Sequence, residues 1–305
     1  MASDNINPVK VKFNEYRLKF EEYLTSSAHI RSKDVPEKLF EAMEYSLNAG
    51  GKRLRPALCM AAAESCGCCA EDALPMALGL EMLHTATLIH DDLPCMDDDD
   101  MRRGRPSNHK KFGEAMAVLA GDALLAQSIE YPLANLSLAK IAPQKVINAM
   151  RIFTAAIGPS GVCGGQVLDM EPPAQRQSED AVYVRNVAAL KTGALIRSSV
   201  LTGAALGSDD SQRLECYANY GTHLGSAFQI VDDILDVTST AEELGKTPGK
   251  DAEQDKITHV SVFGLEGARR AACSEATAAK RALDGLSLQG NILLGLPDYL
   301  TYRKN

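Results

Sequence analysis

Two aspartate-rich stretches constrain this chain more than any other feature. The first lies in residues 90–104 (HDDLPCMDDDDMRRG), where six of the ten residues 91–100 are aspartates, and the second is DDILD at residues 232–236. Each follows an apolar run, and unpaired carboxylates are costly beside buried apolar surface. A divalent cation such as Mg²⁺ would satisfy them, because hard cations bind clustered carboxylate oxygens. The competing interpretation is a solvated acidic loop, which is what most aspartate runs are.

The spacing of the aspartates predicts how each stretch presents its carboxylates. Asp232 and Asp236 are four residues apart, so on a helix both carboxylates point from one face. Asp91 and Asp97 are six apart and would face different ways on a regular helix. Pro94 resolves this conflict, because its ring clashes with the carbonyl four residues earlier and breaks the turn. The chain is therefore expected to bulge there and bring Asp97 back beside Asp91.

Apolar residues recur at helical spacing along most of the chain, and no alternating strand pattern of useful length is present. Breaks fall at Gly-, Pro- and Ser-rich positions. The pattern predicts an all-α helical bundle in a single domain over residues 1–305, with the two acidic stretches on facing helices. Two N-terminal helices, with buried faces marked by Tyr16 and Phe20 and by Met43 and Leu47, are followed by helices over 57–65, 73–90, 114–130, 143–157, 181–206, 212–237 and 262–284.

Basic residues surround one helix start. Gly50-Gly51 ends the second predicted helix, and Lys52, Arg53 and Arg55 follow at once. Flexible glycine backbone and free N–H groups beside three cations suit an incoming diphosphate. A basic helix cap on the surface is the alternative interpretation.

The segment after the second acidic stretch has a different character. Residues 242–256 combine glycine, proline, lysine and aspartate. A mobile charged loop at this place could act as a lid over the site. A solvated linker fits the same composition.

Composition excludes several classes of function. The net charge of −8 argues against a nucleic-acid-binding protein. No apolar run is expected to span or insert stably into a membrane. The first residues have neither an apolar signal core nor an Arg-rich transit character, so a cytoplasmic location is expected.

The ordered set of motifs resembles the trans-prenyltransferases, or isoprenyl diphosphate synthases, over nearly the whole chain. The two acidic stretches match the first and second aspartate-rich motifs of that family, and the two-residue insertion in the first resembles bacterial farnesyl and type II geranylgeranyl diphosphate synthases. The resemblance implies an isoprenoid-synthase helical bundle with a central cavity, usually a homodimer. The further matching segments are 50–56 (GGKRLRP), His84, 102–104 (RRG), 165–169 (GQVLD), 191–193 (KTG) and 244–246 (LGK).

The resemblance also implies the reaction. An allylic diphosphate (dimethylallyl, geranyl or farnesyl) loses its diphosphate, the allylic cation attacks the double bond of isopentenyl diphosphate, and a proton leaves. Charge builds on the departing diphosphate, so catalysis relies on metal ions and cations aimed at that group. Covalent catalysis is not indicated, because the chain has no G-x-S-x-G elbow and no cysteine beside an obvious histidine partner.

Roles for individual residues follow from the same resemblance. The implied ligands of about three Mg²⁺ ions, which Mn²⁺ can replace, are Asp91, Asp97 and Asp232, with Asp92 and Asp236 in support. The implied clamp on the allylic diphosphate is Arg102, Lys191 and Lys246. The implied site for isopentenyl diphosphate is Gly51, Lys52, Arg55, His84 and Arg103. Thr192 and Gln229 would offer oxygen dipoles to the carbocation, and Lys256 would belong to the closing loop. A lone histidine such as His84 is otherwise more often a satisfied core residue.

Product length is expected to depend on the helix that delivers Asp91. Thr87 and Ala86 lie four and five residues before it and should form the floor of a tunnel for the growing chain, with Leu83 one turn lower. The resembling bacterial farnesyl synthases carry a bulky aromatic at the position of Ala86. A methyl group leaves room for five more carbons, whose burial is favourable by about 0.8 kcal/mol per methylene. Geranylgeranyl diphosphate, with twenty carbons, is the expected product, and farnesyl diphosphate is the alternative.

Other functions fit fewer of these features. His90-Asp91 matches the HD dyad of metal-dependent phosphohydrolases, but that interpretation leaves the second acidic stretch and 50–56 unexplained. A class I terpene cyclase normally has an Asn/Ser/Glu-type second motif. A non-catalytic regulatory subunit should lack one acidic motif, and residues 97–100 do not follow the order of a Ca²⁺-binding EF-hand loop.

Overall fold

The computed structural model describes residues 7–26, 34–136, 141–171, 179–239, 256–288 and 290–301. Within these residues helix follows helix, and the extended structure consists of one short antiparallel hairpin, β1 (Met101–Arg102) and β2 (Arg105–Pro106). The helices are α1 (Pro8–Ser26), α2 (Glu37–Leu47), α3 (Leu54–Ser65), α4 (Leu74–Asp91), α5 (Asn108–Phe112), α6 (Glu114–Leu136), α7 (Pro143–Ile157), α8 (Val162–Asp169), α9 (Asp180–Val187), α10 (Ala194–Gly207), α11 (Ser211–Thr238), α12 (His259–Ala282) and α13 (Leu296–Thr301).

The helix α4 lies at the centre of the molecule. Its residues from Leu74 to Leu83 are all buried, and Thr85, Ala86 and Ile89 continue the buried surface toward the first acidic stretch. A helix that is apolar on all sides must be surrounded by other elements. The helices α3, α6 and α10 pack around it. The carboxylates at its C-terminal end are therefore held by the most deeply packed helix.

Two glycines allow α4 and α6 to approach closely. A methyl group on Gly79 would lie 2.7 Å from the carbonyl oxygen of Ser128, and one on Gly121 would lie 2.1 Å from Nε2 of His90. Position 79 meets the later part of α6 and position 90 meets the earlier part, so the two helices run antiparallel. This contact fixes the direction of α4 along α6.

The helices α10, α11 and α12 form the other wall of the bundle. Asp210 begins α11 by accepting a hydrogen bond from the backbone N–H of Gln212 at 2.9 Å. Thr258 and Ser261 form a capping box at the start of α12. The helices α11 and α12 enclose a small apolar cluster of their own, Ile230, Val231, Leu235, Ala268 and Ala272.

The predicted all-α architecture is confirmed, and each predicted helix is present with its ends shifted by a few residues. Several features were not predicted: the hairpin, the short helices α5, α8 and α13, and a π-helical turn over Ala188–Gly193 that interrupts the helix predicted for 181–206. π-Helical turns are rare and frequently mark functional sites. This one carries Lys191 and Thr192.

One segment has membrane-span character by length and composition. Residues Pro143–Asp169 have a mean hydropathy of 1.3 over their most apolar window, and 33% of that window is buried. The chain leaves helical geometry at 158–161, between α7 and α8. Core helices of soluble proteins pass the same test, so this segment is weak evidence for a membrane span.

The prediction that Arg53 belongs to a diphosphate-binding group is wrong, because its side chain points into the core. Arg53 has a left-handed backbone conformation (φ 50°) and is 2% exposed. Its guanidinium donates hydrogen bonds of 2.8 Å to Glu21 and 2.8 Å to Glu81, and one of 3.1 Å to the carbonyl of Leu47. These bonds tie α1, α2 and α4 to the start of α3.

Replacing Arg53 with methionine is expected to lower the free energy of unfolding by about 3–5 kcal/mol, because the buried carboxylate of Glu81 loses its partner. Lys52→Met is the matched control, since the Lys52 side chain is exposed; its effect should stay within about 0.5 kcal/mol. Urea unfolding followed by circular dichroism measures both. A loss below about 1 kcal/mol for Arg53→Met would contradict a structural role.

Candidate active site

The first acidic stretch folds back on itself as the sequence predicted. The helix α4 ends at Asp91, and the backbone N–H of Asp97 donates to the carbonyl of Asp91 at 2.9 Å. The N–H of Asp99 donates to the carbonyl of Asp92 at 3.2 Å, and Asp98 has a left-handed backbone (φ 47°). The break near Pro94 therefore brings Asp97 beside Asp91, and this prediction is confirmed.

The side chain of Asp91 lies in an environment that disfavours its charge. Burial raises the pKa of Asp91 to about 6, and the neighbouring carboxylate of Asp97 contributes to that increase. The ammonium of Lys191 and the guanidinium of Arg102 act in the opposite direction. A second carboxylate beside a buried one creates a local excess of negative charge that a cation would relieve.

Arg102 holds the other aspartate at the end of α4. Its Nε donates to both carboxylate oxygens of Asp92, at 2.9 and 3.2 Å, and its Nη2 donates to Asp99 at 3.1 Å. Asp92 is 2% exposed, and burial raises its pKa although Arg102 opposes this shift. In this structure Arg102 and Asp92 engage each other, so the metal contact of Asp92 and the diphosphate contact of Arg102 both stay predictions.

Arg103 points in a different direction, toward the Gly-Gly-Lys-Arg segment. Its Nη1 donates to the carbonyl of Gly50. Its guanidinium lies against Gly51, where an added methyl would come within 2.9 Å of Cζ. Gly51 also has a positive φ of 140°, a conformation that favours glycine. The absence of a side chain at position 51 thus makes room for Arg103.

Three predicted residues of the diphosphate group share one basic environment. Burial lowers the pKa of Arg55 to about 10, with Arg103 adding to that effect while Glu81 and Asp232 oppose it. Burial, followed by Arg55 and Arg103, places the pKa of His84 well below its ordinary value. His84 is therefore neutral and able to donate one hydrogen bond. The Nε of Arg55 is buried and has no hydrogen-bond partner among the described residues.

The second acidic stretch lies on α11, as predicted, with Asp232 and Asp236 one turn apart. Gln229 lies on the same helix, one turn before Asp233, and contacts the π-helical turn. The hydroxyl of Thr192 in that turn donates to Oε1 of Gln229 at 2.6 Å. The Nε2 of Gln229 donates to Oδ1 of Asp233 at 2.8 Å. The structure thus brings together Thr192 and Gln229, the two residues to which the family resemblance gives one role; that role stays a prediction.

Two lysines connect the first acidic stretch to α8. Lys256 donates to Asp97 at 3.1 Å and lies 3.6 Å from Asp169. Lys191 donates to the same Asp169 at 2.7 Å. Burial alone would raise the pKa of Asp169, but the two ammonium groups hold it below its ordinary value. The carboxylate of Asp169 thus orients two cations toward Asp91 and Asp97.

Sequence reasoning assigned no role to Asp169 or Asp233. Asp169 closes the matched segment GQVLD, so its presence in that segment was an available signal. A methyl on Gly165 in this segment would lie 2.2 Å from the backbone N of Lys191, which explains a glycine there. Asp233 could not be distinguished from Asp232 by spacing alone.

The residues predicted to set product length are placed as follows. Ala86 and Leu83 are each 1% exposed. Positions 79, 83, 86 and 90 share one face of α4, and positions 79 and 90 of this face contact α6. Thr87 is partly buried, and its hydroxyl donates to the carbonyl of His84 at 2.8 Å. Lys246, the remaining predicted site residue, lies outside the described residues.

The donor set fits a hard divalent cation. Asp91 and Asp97 supply adjacent carboxylates, whose oxygens are the ligands that such a cation prefers. A further group, Asp98, Asp100 and His109, also has its ligand atoms within 4.8 Å of one another. Its two aspartates are exposed, and Asp100 pairs with Lys110 at 2.7 Å. The partly buried pair Asp91 and Asp97, beside Lys191, is therefore the better candidate for metal binding.

Comparisons with known proteins show which proteins this chain is similar to. The family profile described as polyprenyl synthetase matches residues 36–284. The chloroplastic geranylgeranyl pyrophosphate synthase of Capsicum annuum is 45% identical over 275 residues, which is 88% of this chain and 73% of that protein. The farnesyl diphosphate synthase of Bacillus subtilis is 41% identical over 277 residues, covering 91% and 93% of the two chains.

A solved synthase structure has the same fold as this chain. The apo crystal structure of an FPP/GFPP synthase from Zymomonas mobilis superimposes with a TM-score of 0.83 at 30% sequence identity. The superposition covers 96% of this chain and 98% of that one. The arrangement of helices in this chain is thus that of the solved synthase over nearly the whole of both chains.

Proposed function

Because this chain belongs to the polyprenyl synthetase family, we propose that it condenses isopentenyl diphosphate with allylic diphosphates to make geranylgeranyl diphosphate. It is a short-chain trans-prenyltransferase. The observation that carries the proposal is the meeting of three groups: the carboxylates of Asp91 and Asp97, the lysines held by Asp169, and the Thr192–Gln229 oxygen pair.

The reaction needs charge stabilisation at the departing diphosphate. The bond between allylic C1 and the diphosphate oxygen breaks, and negative charge develops on the diphosphate. Mg²⁺ held by Asp91, Asp97 and Asp232 would neutralise that charge. Lys191 is oriented by Asp169 and lies close enough to Asp91 to lower its pKa, so it is placed to bind the same diphosphate.

The second substrate needs a separate anion site. Arg55, His84 and Arg103 share one basic environment beside Gly51 and Lys52. The C=C bond of isopentenyl diphosphate forms the new C–C bond to the allylic cation, and loss of a proton restores a double bond. Thr192 and Gln229 direct oxygen atoms at the positive charge that exists between these events.

The length of the product is proposed from Ala86. Relatives named for twenty-carbon and for fifteen-carbon products are about equally similar to this chain, so overall similarity does not choose between them. The support for twenty carbons is the small side chain at position 86, on the face of α4 that packs against α6. Farnesyl diphosphate is the alternative product.

The phosphohydrolase alternative is disfavoured by the direction of His90. Its Nε2 lies 3.2 Å from the carbonyl of Val118 and 3.7 Å from Asp122, and the ring packs on Gly121. The imidazole therefore faces α6. An HD dyad would need it to bind the same metal as Asp91.

We also propose a homodimer in a cytoplasmic location. The support for the homodimer is the exposure of large apolar side chains on α6 and α7, namely Val118, Leu119, Leu133 and Ile147. A second copy of the chain would cover these side chains. Light scattering of the purified protein should give twice the mass of the chain; the monomer mass would contradict the dimer.

The decisive experiment is a product assay. The protein is incubated with Mg²⁺, isopentenyl diphosphate and each of dimethylallyl, geranyl and farnesyl diphosphate, and the dephosphorylated products are separated by chain length. We expect geranylgeraniol as the main product, activity with Mn²⁺, and no activity with EDTA. Near-normal turnover in EDTA would contradict the function, and farnesol as the end product would contradict the proposed chain length.

The two neighbouring arginines should have separable effects, because they point in different directions. Arg102→Ala is expected to raise KM chiefly for the allylic diphosphate, and Arg103→Ala chiefly for isopentenyl diphosphate. Each change should be about tenfold or more, since a charge-assisted hydrogen bond contributes about 1.5–3 kcal/mol. Initial rates with each substrate varied in turn measure both constants. Equal effects of both variants on both substrates would show that the assignment is wrong.

A further inference from the structure

A chain of four hydrogen bonds connects the start of α12 to the π-helical turn. The Oδ2 of Asp233 accepts from the backbone N–H of His259 at 2.8 Å and from Nδ1 of His259 at 2.8 Å. Its Oδ1 accepts from Nε2 of Gln229 at 2.8 Å, and Oε1 of Gln229 accepts from Thr192 at 2.6 Å. Asp233 is 5% exposed and His259 is 2% exposed. The end of the network at α12 is therefore formed by two buried side chains, those of Asp233 and His259.

The polarity of every bond in this network is determined by chemistry. A carboxylate only accepts hydrogen bonds and a backbone N–H only donates, so His259 must donate to Asp233. The Gln229 amide must then present its NH₂ to Asp233, which leaves its oxygen facing Thr192. The Thr192 hydroxyl donates its hydrogen to that oxygen. The hydroxyl oxygen of Thr192 and the amide oxygen of Gln229 therefore both keep lone pairs that this network does not use.

We propose that Asp233 is a positioning residue that fixes the direction of the Gln229 amide and, through it, of the Thr192 hydroxyl. This inference rests on the proposed function and adds a residue to it. With Asp233 in place, both groups present oxygen to the allylic cation. With the amide reversed, Gln229 would present its N–H groups, and the Thr192 hydrogen would turn outward. An arrangement that stabilises positive charge would become one that destabilises it.

Asp233→Asn is the informative substitution, because it changes polarity with little change in shape. The oxygen of the new amide stays with the two donors of His259, since the backbone N–H cannot be reversed. The new NH₂ group then faces Nε2 of Gln229, and two donors cannot bond to each other. The Gln229 amide is expected to turn over. We expect kcat to fall about 10²-fold, as on loss of a polar group at a developing charge. Both KM values and the Mg²⁺ concentration for half-activation should change less than about threefold.

The matched test is the exchange Asp233→Asn/Gln229→Glu, which keeps the net charge and the number of hydrogen bonds. The asparagine NH₂ donates to one oxygen of the new carboxylate, and Thr192 donates to the other. Gln229→Glu alone places two carboxylates face to face and should lower Tm and kcat. The double variant should recover Tm to near the wild-type value and kcat to within about tenfold of it.

The outcomes separate the inference from the proposed function. Recovery of both Tm and kcat in the double variant supports the positioning role. Recovery of Tm without kcat would show that Asp233 only caps α12, and no recovery of either would show that the four bonds do not form one unit. Each of the last two results overturns the inference. A wild-type protein that forms no prenyl product in the same assay overturns the proposed function, while the Tm values still test the network.

Discussion

Asp91→Asn is expected to lower kcat by about 10³-fold or more without lowering the stability of the metal-free protein. The loss follows because Asp91 is the best placed metal ligand, and several kcal/mol of charge stabilisation correspond to about three powers of ten in rate. The stability result follows from burial, which raises the pKa of Asp91 to about 6. A carboxyl whose pKa is raised by folding destabilises the fold at pH 7, where it is charged. This effect decreases as the pH falls through about 6 and is gone below the ordinary pKa of an aspartate, about 3.9.

The control for this prediction is Asp98→Asn in the same loop. Asp98 is exposed and has a left-handed backbone that asparagine tolerates, so the substitution removes an equal charge without strain. Steady-state kinetics and thermal unfolding in EDTA measure both variants. We expect the control to stay within about twofold of the wild-type kcat. Equal losses in the two variants would mean that general negative charge, and not a specific ligand, supports turnover.

Ala86→Phe is expected to shorten the main product from twenty carbons to fifteen. Ala86 is 1% exposed and lies on the face of α4 that contacts α6 at positions 79 and 90, so a ring there would fill the space proposed for the last isoprene unit. Phenylalanine is preferable to tyrosine, because a hydroxyl buried without a partner is costly. Ala86→Leu should give a mixture of both lengths. Chromatography of the dephosphorylated products measures the distribution.

The control for overpacking is Ala77→Leu. Ala77 is 0% exposed on the same helix. It lies nine residues before Ala86, so its side chain points from the opposite face of α4. Ala77→Leu is expected to lower Tm, as overpacking usually does, and to leave product length unchanged. If the Ala86 variants also keep the wild-type product, then Ala86 does not limit the chain. A wild type that already stops at fifteen carbons would lead to the same conclusion.

Features that depend on neighbouring residues were predictable from the sequence. The helices follow from apolar periodicity, and the break in the first acidic stretch follows from the ring of Pro94. The pairing of Asp232 with Asp236 follows from helical spacing. Each of these results is set by interactions within about one turn of the chain, so no knowledge of distant segments was needed. The segments shared with other trans-prenyltransferases supplied the roles that spacing could not.

Features that depend on distant partners were not predictable in the same way. Arg53 and Arg55 are two residues apart and chemically alike. Only the left-handed backbone at Arg53 and the positions of Glu21 and Glu81 make it a structural residue, while Arg55 lies in the basic environment of the site. Likewise, Asp169 gains its role from Lys191 and Lys256, which come from other elements.

The sequence alone therefore determined the helical architecture, the two sets of clustered carboxylates and the class of chemistry they serve. The tertiary structure decided which member of each charged group faces the reaction and which one holds the fold. Asp232 and Asp233 are adjacent and identical, and it is Asp233 whose carboxylate accepts from the start of α12 and from the Gln229 amide. The physical reason is that the energy of a buried charge depends on the donors around it, and these donors come from segments far apart in sequence.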